Sequence, residues 1–224
     1  MTSRHLGWIV AIAWLVASPA VFAQGRRGAA ATASAAMRSE PAKVNCPQVL
    51  GVGVQTGRTF CEVVLTRDPA EGIIVPLPPH TGAVTLTFDL HNRHTYSEEL
   101  SKSARGFRRY TALIGLLASD NTPLGRAVVH NEFRTAKDLF DRVGGGTGAA
   151  GLKAVAPTGV EAVTIVIPSD EPTETVSIVG LKLTEARVDG TSTTEASSGR
   201  PIATISNVML QYRPAPPRPP ARRK

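Results

Sequence analysis

Between residues 84 and 91 the chain alternates: Val84, Leu86, Phe88 and Leu90 are apolar, and Thr85, Thr87, Asp89 and His91 are polar. Successive side chains of an extended strand point to opposite faces, so a period of two predicts a strand with one face buried. Less regular versions of the signal recur. Residues 49–55 alternate around two glycines, Thr56-Gly57 offers a turn, and 58–66 returns as the second arm of a hairpin. Residues 107–118 and 126–133 flank the turn signal Ser119-Asp120-Asn121-Thr122-Pro123. Further strands are predicted over 160–167, 175–187 and 201–212, with Asp189-Gly190 and Gly199 as punctuation between the last two. Many short strands between Gly, Pro and Asn-Asp turns, with no strand–helix alternation, predict a mainly all-β fold, an antiparallel β-sandwich.

One segment departs from this period. Thr135 stands where a cap would, with Asp138 three residues on, and Ala136, Leu139, Phe140 and Val143 recur at helical spacing before Gly144. One short helix over 135–143 is expected, with Asp138 and Arg142 paired on its wet face. It is expected to lie across an open end of the sandwich.

The two ends carry no strand period. Arg4 precedes an apolar run over 8–17, Ser18-Pro19 breaks it, and Val21-Phe22-Ala23 puts small residues where a signal peptidase cuts. Residues 1–23 therefore read as a secretory signal peptide, cleaved before Gln24. The apolar run is shorter than the roughly 20 residues a spanning helix needs. No later run approaches that length, 112–118 (ALIGLLA) being the longest read as apolar, so no transmembrane span is expected in the mature chain. Export to a periplasmic or extracellular space follows. Residues 24–42 are an Ala, Gly and Ser tract, read as a flexible leader. Residues 214–224, PAPPRPPARRK, form a Pro/Arg-rich tail without a fold of its own. The domain is expected over 43–213.

Composition supports one domain: 224 residues, 42% hydrophobic, suffice for a core of ordinary size, and collagen and disulfide-stapled miniproteins are excluded. The formal charge of +7 changes meaning once it is divided along the chain. Residues 1–23 contribute +1, 24–42 contribute +2, 214–224 contribute +4, and 43–213 are neutral. A nucleic-acid-binding domain concentrates positive charge on its folded body. Here the ends carry it, so no nucleic-acid partner is expected. The tail instead suits an anionic envelope polymer or the groove of a protein partner.

Export gives the two cysteines a role. Cys46 and Cys61 enclose 14 residues, and an oxidising compartment favours a bridge between them. A ring of this size is worth about 3 kcal/mol on the loop-closure estimate. A mirror pairing about Thr56-Gly57 sets Cys61 opposite Val52, so the bridge ties the hairpin to the segment before it.

Several constellations invite a chemical reading. Gly146, Gly148 and Gly151 spell a dinucleotide fingerprint, but a predicted helix precedes them where a strand is needed, so a loop is the plainer reading. Asp89 and His91 share the polar face of one predicted strand, and His130 and Glu132 sit two apart on another. Were those strands neighbours, the four would make a mixed nitrogen and oxygen site for a divalent metal such as zinc, or a base oriented by a carboxylate. The plainer alternative is a pair of solvated strand faces. Arg105, Arg108 and Arg109 interleave with Phe107 and Tyr110, and Arg105, Arg108 and Tyr110 are the candidates for an acidic or sugar ligand. No GxSxG elbow or HExxH pair occurs, Ser101-x-x-Ala104 lacks the lysine of an SxxK enzyme, and the adjacent Glu98 and Glu99 point apart on any regular element. The functional expectation is an exported, non-enzymatic binding or structural module of a bacterial-type envelope or exterior. The rival is a metal-binding protein or metal-dependent enzyme built on the histidine and carboxylate set.

Overall fold

The computed structural model describes residues 35–92, 107–132, 140–144, 158–171, 173–187 and 189–216. In chain order the strands are β1 (Arg38–Pro41), β2 (Val49–Gly53), β3 (Thr59–Val64), β4 (Ile73–Pro76), β5 (His80–Asn92) and β6 (Phe107–Ala118). They continue as β7 (Pro123–Glu132), β8 (Val143–Gly144), β9 (Thr158–Ile167), β10 (Thr175–Arg187), β11 (Ser192–Glu195) and β12 (Pro201–Pro214). They build two antiparallel sheets packed face to face, which is the expected β-sandwich. The first runs β8-β2-β3-β12-β5-β9 with β1 also on β12, and the second runs β11-β10-β6-β7 with β4 also on β10.

Each sheet is organised by one long strand. β12 pairs along one edge with β5, and along the other first with β3 and then with β1. β10 likewise pairs with β6 on one edge, and with β4 and then β11 on the other. Alternation decides which side chains meet between the sheets. Val84, Leu86, Phe88 and Leu90 of β5 share one core with Tyr110, Ala112, Ile114 and Leu116 of β6, and with Ile205, Leu210, Ile178 and Leu183. Each large side chain so buried contributes about 1.5–3 kcal/mol.

The cysteines are bonded, Cys46 to Cys61, with Cα atoms 5.7 Å apart, and Cys61 lies in the core. The register around them differs from the mirror pairing: Cys61 stands opposite Val49, not Val52. The turn spans 54–58, closed by the Gly53 amide on the Arg58 carbonyl, and a bulge between Val49 and Gly51 shifts the rest.

Three further expectations are adjusted. Of the expected helix, 135–139 lie outside the described residues, 140–142 carry no regular structure, and Val143–Gly144 pairs with β2 as a strand. The apolar spacing of Phe140 and Val143 serves contacts with the sheet, not a helix face. The folded body also begins before residue 43, because β1 pairs with β12 from Arg38↔Tyr212 to Pro41↔Met209. At the other end Pro214 belongs to β12, and the Ala215 amide donates to the Pro79 carbonyl. The signal segment, the three glycines of the fingerprint and residues 217–224 lie outside the described residues. Among the described residues, no helix is long and apolar enough to cross a membrane.

Candidate functional site: a cleft beside the central strand of the first sheet

Three adjacent strands lose their alternation at the same end of the first sheet. Residues 60–64 of β3, 202–206 of β12 and 90–92 of β5 are buried without a break. Cys61, Val63, Ala203, Ile205 and Leu90 account for the core face. Phe60, Glu62, Thr204, Ser206 and His91 must therefore be covered on the outer face. Phe140 supplies part of that cover: its ring lies 4.9 Å from His91 and 6.4 Å from Phe60, and the Arg58 guanidinium carbon sits 5.9 Å from its centroid.

Asp141 holds this strap down. Its two carboxylate oxygens accept from the Gln55 amide (3.0 Å), the Thr56 amide (3.0 Å), the Thr56 hydroxyl (2.6 Å) and the Arg142 amide (2.7 Å). Burial by itself pushes the carboxyl up, but the Thr56 hydroxyl and the three amides outweigh it and hold the group below its ordinary 3.8. The approach needs glycine in β2. A Cβ on Gly53 would stand 2.1 Å from an Asp141 oxygen, and one on Gly51, at φ +144°, would stand 2.5 Å from the Gly144 carbonyl oxygen.

Beneath the strap the polar groups pair with one another. His91 Nε2 and Ser206 Oγ share a hydrogen bond of 2.9 Å. Thr204 stands between Glu62 and His91 on the neighbouring strands, and its hydroxyl is buried with no hydrogen-bond partner among the described residues. At the rim, Arg58 Nη1 lies 2.8 Å from Asp89 Oδ2, and Asn207 Nδ2 donates to the same oxygen at 3.4 Å. Asn207 has φ +53° and sits in the bulge between Ser206 and Met209, the left-handed conformation that asparagine tolerates best after glycine.

A cleft opens next to this rim. β3 leaves the edge of β12 after Ile205 and β1 joins only at Met209, with the Ala42 amide donating to the Val208 carbonyl, so among the described residues no strand lies alongside 206–207 on that edge. The space is about 600 Å³, walled by Val44, Val49, Val208, Met209 and the Cys46–Cys61 bridge, with Arg58 and Asn207 at its polar side. A second hollow of about 960 Å³ lies where β12 ends, lined by Pro76, Pro78, Pro79, Glu174 and the chain's own Ala215 and Pro216. It seats the root of the tail.

The residues singled out in the sequence are dispersed over this frame. Asp89 and His91 both point away from the core on the first sheet, Asp89 into an ion pair and His91 under Phe140. His130 is on the second sheet, where its neighbour Val129 is in the core; the imidazole is exposed and its Nδ1 lies 2.8 Å from the Thr111 hydroxyl. The two histidines thus project from opposite outer faces with the core between them. Glu132 is placed only as a β7 position paired with Arg109. The four do not assemble, and among the described residues no group of three or more His, Cys, Asp or Glu side chains could hold a metal ion. A Ser–His hydrogen bond is the arrangement of a nucleophile and its base, but here both partners are buried.

The proposed ligand cluster also separates. Tyr110 turns inward, buried in the core with its hydroxyl donating to the Ile202 carbonyl. Arg108 is placed by its backbone in β6, and Arg105 lies outside the described residues. Sequence reasoning missed Asp141, Asn207 and the cleft. The two glycines flanking Val52 were the visible trace of the strap, since they mark where another backbone comes close.

No family model matches this chain, and no curated protein sequence matches it. Among solved structures it is similar to the catalytic domain of a GH87 alpha-1,3-glucanase in complex with tetrasaccharides, at 12% identity and a TM-score of 0.30. That likeness covers 84% of this chain and 30% of the other, so the chain spans less than a third of that structure's length.

Proposed function

We propose that the chain is an exported, non-enzymatic β-sandwich module of a bacterial-type envelope or exterior that binds through the cleft beside β12. The cleft itself carries this reading. Its volume, apolar walls and few polar groups at one side match what a small amphipathic ligand, or the apolar side chains of a partner, requires. Its shape is preset: the disulfide fixes one wall, and the Arg58–Asp89 pair and the bulge at Asn207 fix the rim. Preset walls reduce the ordering cost of binding. The titratable groups nearby are engaged in holding the scaffold: Asp89 holds Arg58, His91 holds Ser206, and Asp141 holds the turn. The Pro/Arg tail is the second proposed contact, rooted at Ala215 and directed at anionic polymers or a protein partner.

The test uses the apolar anionic dye 1-anilinonaphthalene-8-sulfonate with the mature chain, residues 24–224. Saturable binding at one site per chain is expected. Val49 is half exposed on the cleft wall, so Val49→Asp leaves the fold intact and weakens binding at least about tenfold, or about 1.4 kcal/mol. Equal binding by the variant would remove the cleft from the account.

A further inference from the structure

Two ten-residue strands border the sandwich, and they are not alike. Every other edge strand among the described residues is four residues or shorter: β1, β4, β8 and β11. β1 and β4 each also end on a proline. β7 is ten residues long but begins at Pro123 and carries Arg126 and His130 exposed. Short length, proline and outward charge are the ordinary means by which a sheet edge is kept from pairing with another chain. β9, TGVEAVTIVI, has the least of them: it is ten residues long, has no proline, and carries the exposed Glu161 as its one charge. Among the described residues it pairs with β5 alone. Its outer face presents Val160 at 40% exposure and Val166 at 57%, with Ala162 and Thr164 exposed between them.

We infer that β9 is a dimerisation edge, and that its occupant is β9 of a second copy, paired antiparallel about a two-fold axis through Val163. Self-complementarity selects a second copy over other strands. With Val163 opposite its symmetry mate, Val160 stands across from Val166 of the second copy, and Val166 across from Val160. Ala162 and Thr164 pair in the same way. Cross-strand β-branched pairs of this kind stabilise a ladder. Glu161 meets Ile165 of the second copy, so the two carboxylates stand about 13 Å apart along the strands, beyond the physiological screening length. The first sheet continues through the axis into its mate, and the interface is isologous. The inference is independent of the cleft, which lies on the other side of β12 and β5.

Sedimentation equilibrium of the mature chain over a range of concentrations tests this directly. A monomer–dimer equilibrium is expected, with the dimer dominant by about 100 µM. Val160→Lys with Val166→Lys should raise the dissociation constant at least about tenfold. Both valines are exposed, so the thermal midpoint of the variant should match that of the parent measured dilute enough to be monomeric. Val128→Lys, equally exposed on β7, should leave the dimer unchanged. A parent chain that stays monomeric at about 100 µM, a dimer indifferent to the β9 lysines, or open-ended assembly in place of a dimer would each overturn the inference.

Discussion

Asp141 shows how much of this architecture hangs on single side chains. One carboxylate satisfies the Gln55 and Thr56 amides, which no strand partner reaches, and so ties the strap over the first sheet to a turn 85 residues earlier. Asp141→Ala leaves those amides without their acceptor, at a cost of about 1–3 kcal/mol measured by urea unfolding. Asp141→Asn should cost less, because its carbonyl oxygen can still accept. The pH dependence has a definite sign. The folded-state pKa lies below the ordinary value, so this contribution is present above about pH 4 and is lost as pH falls through the folded-state value. The parent chain should lose stability over that acid range more steeply than Asp141→Asn. Equal slopes would detach the strap from this carboxylate. Nothing local in the sequence marks the role, because helical spacing around Asp141 points to a helix while its partners sit in another element. The disulfide was legible for the opposite reason: a chain with two cysteines allows one internal pairing.

At the scale of elements, strands long enough to show a period were legible and the short ones were not. Residues 107–118 and 175–187 coincide with β6 and β10, since each is a strand-length apolar run bounded by turn signals, buried without a break over 114–118 and 176–180. β1, β4, β8 and β11 have at most four residues and borrow their order from a long neighbour, so no local pattern marks them. β1 is the instructive case. Its composition reads as leader, yet it completes the edge of β12, and the Tyr212 hydroxyl donates to Glu40 Oε1 at 2.8 Å. That bond, with burial, raises the Tyr212 pKa above its ordinary 10.0, so its contribution is present below about pH 10 and is lost only as pH rises beyond the folded-state value. A chain starting at residue 43 should melt about 2–8 °C below one starting at residue 35, for a loss of about 1–2 kcal/mol. Coincident melting curves would show that β1 adds nothing to the fold.

The candidate site was half legible at the scale of the whole molecule. Asp89 and His91 were rightly assigned to the polar face of β5. Which strands neighbour that face is a matter of sheet order, and a single sequence carries no signal for it. His130 therefore could be joined to His91 on paper, although the sandwich puts its core between them. Charge, by contrast, is additive and can be read directly. Residues 43–213 are neutral, and 217–224 hold Arg218, Arg222, Arg223 and Lys224. Removing 217–224 should strongly weaken retention on an immobilised anionic polysaccharide, and whatever remains should fall further with salt. Retention that is undiminished and insensitive to salt would move that contact onto the sandwich.

Binding in the cleft beside β12 is open to a residue-by-residue test by amide chemical-shift mapping. The ¹⁵N-labelled mature chain is titrated with the same sulfonate dye, and the perturbed residues are located on the fold. Shifts are expected at Ala42, Val44, Val49, Thr59, Asn207, Val208 and Met209, which surround the cleft. Shifts confined to residues 105–110, to His130 and Glu132, or to the tail, with the cleft unperturbed, would contradict it.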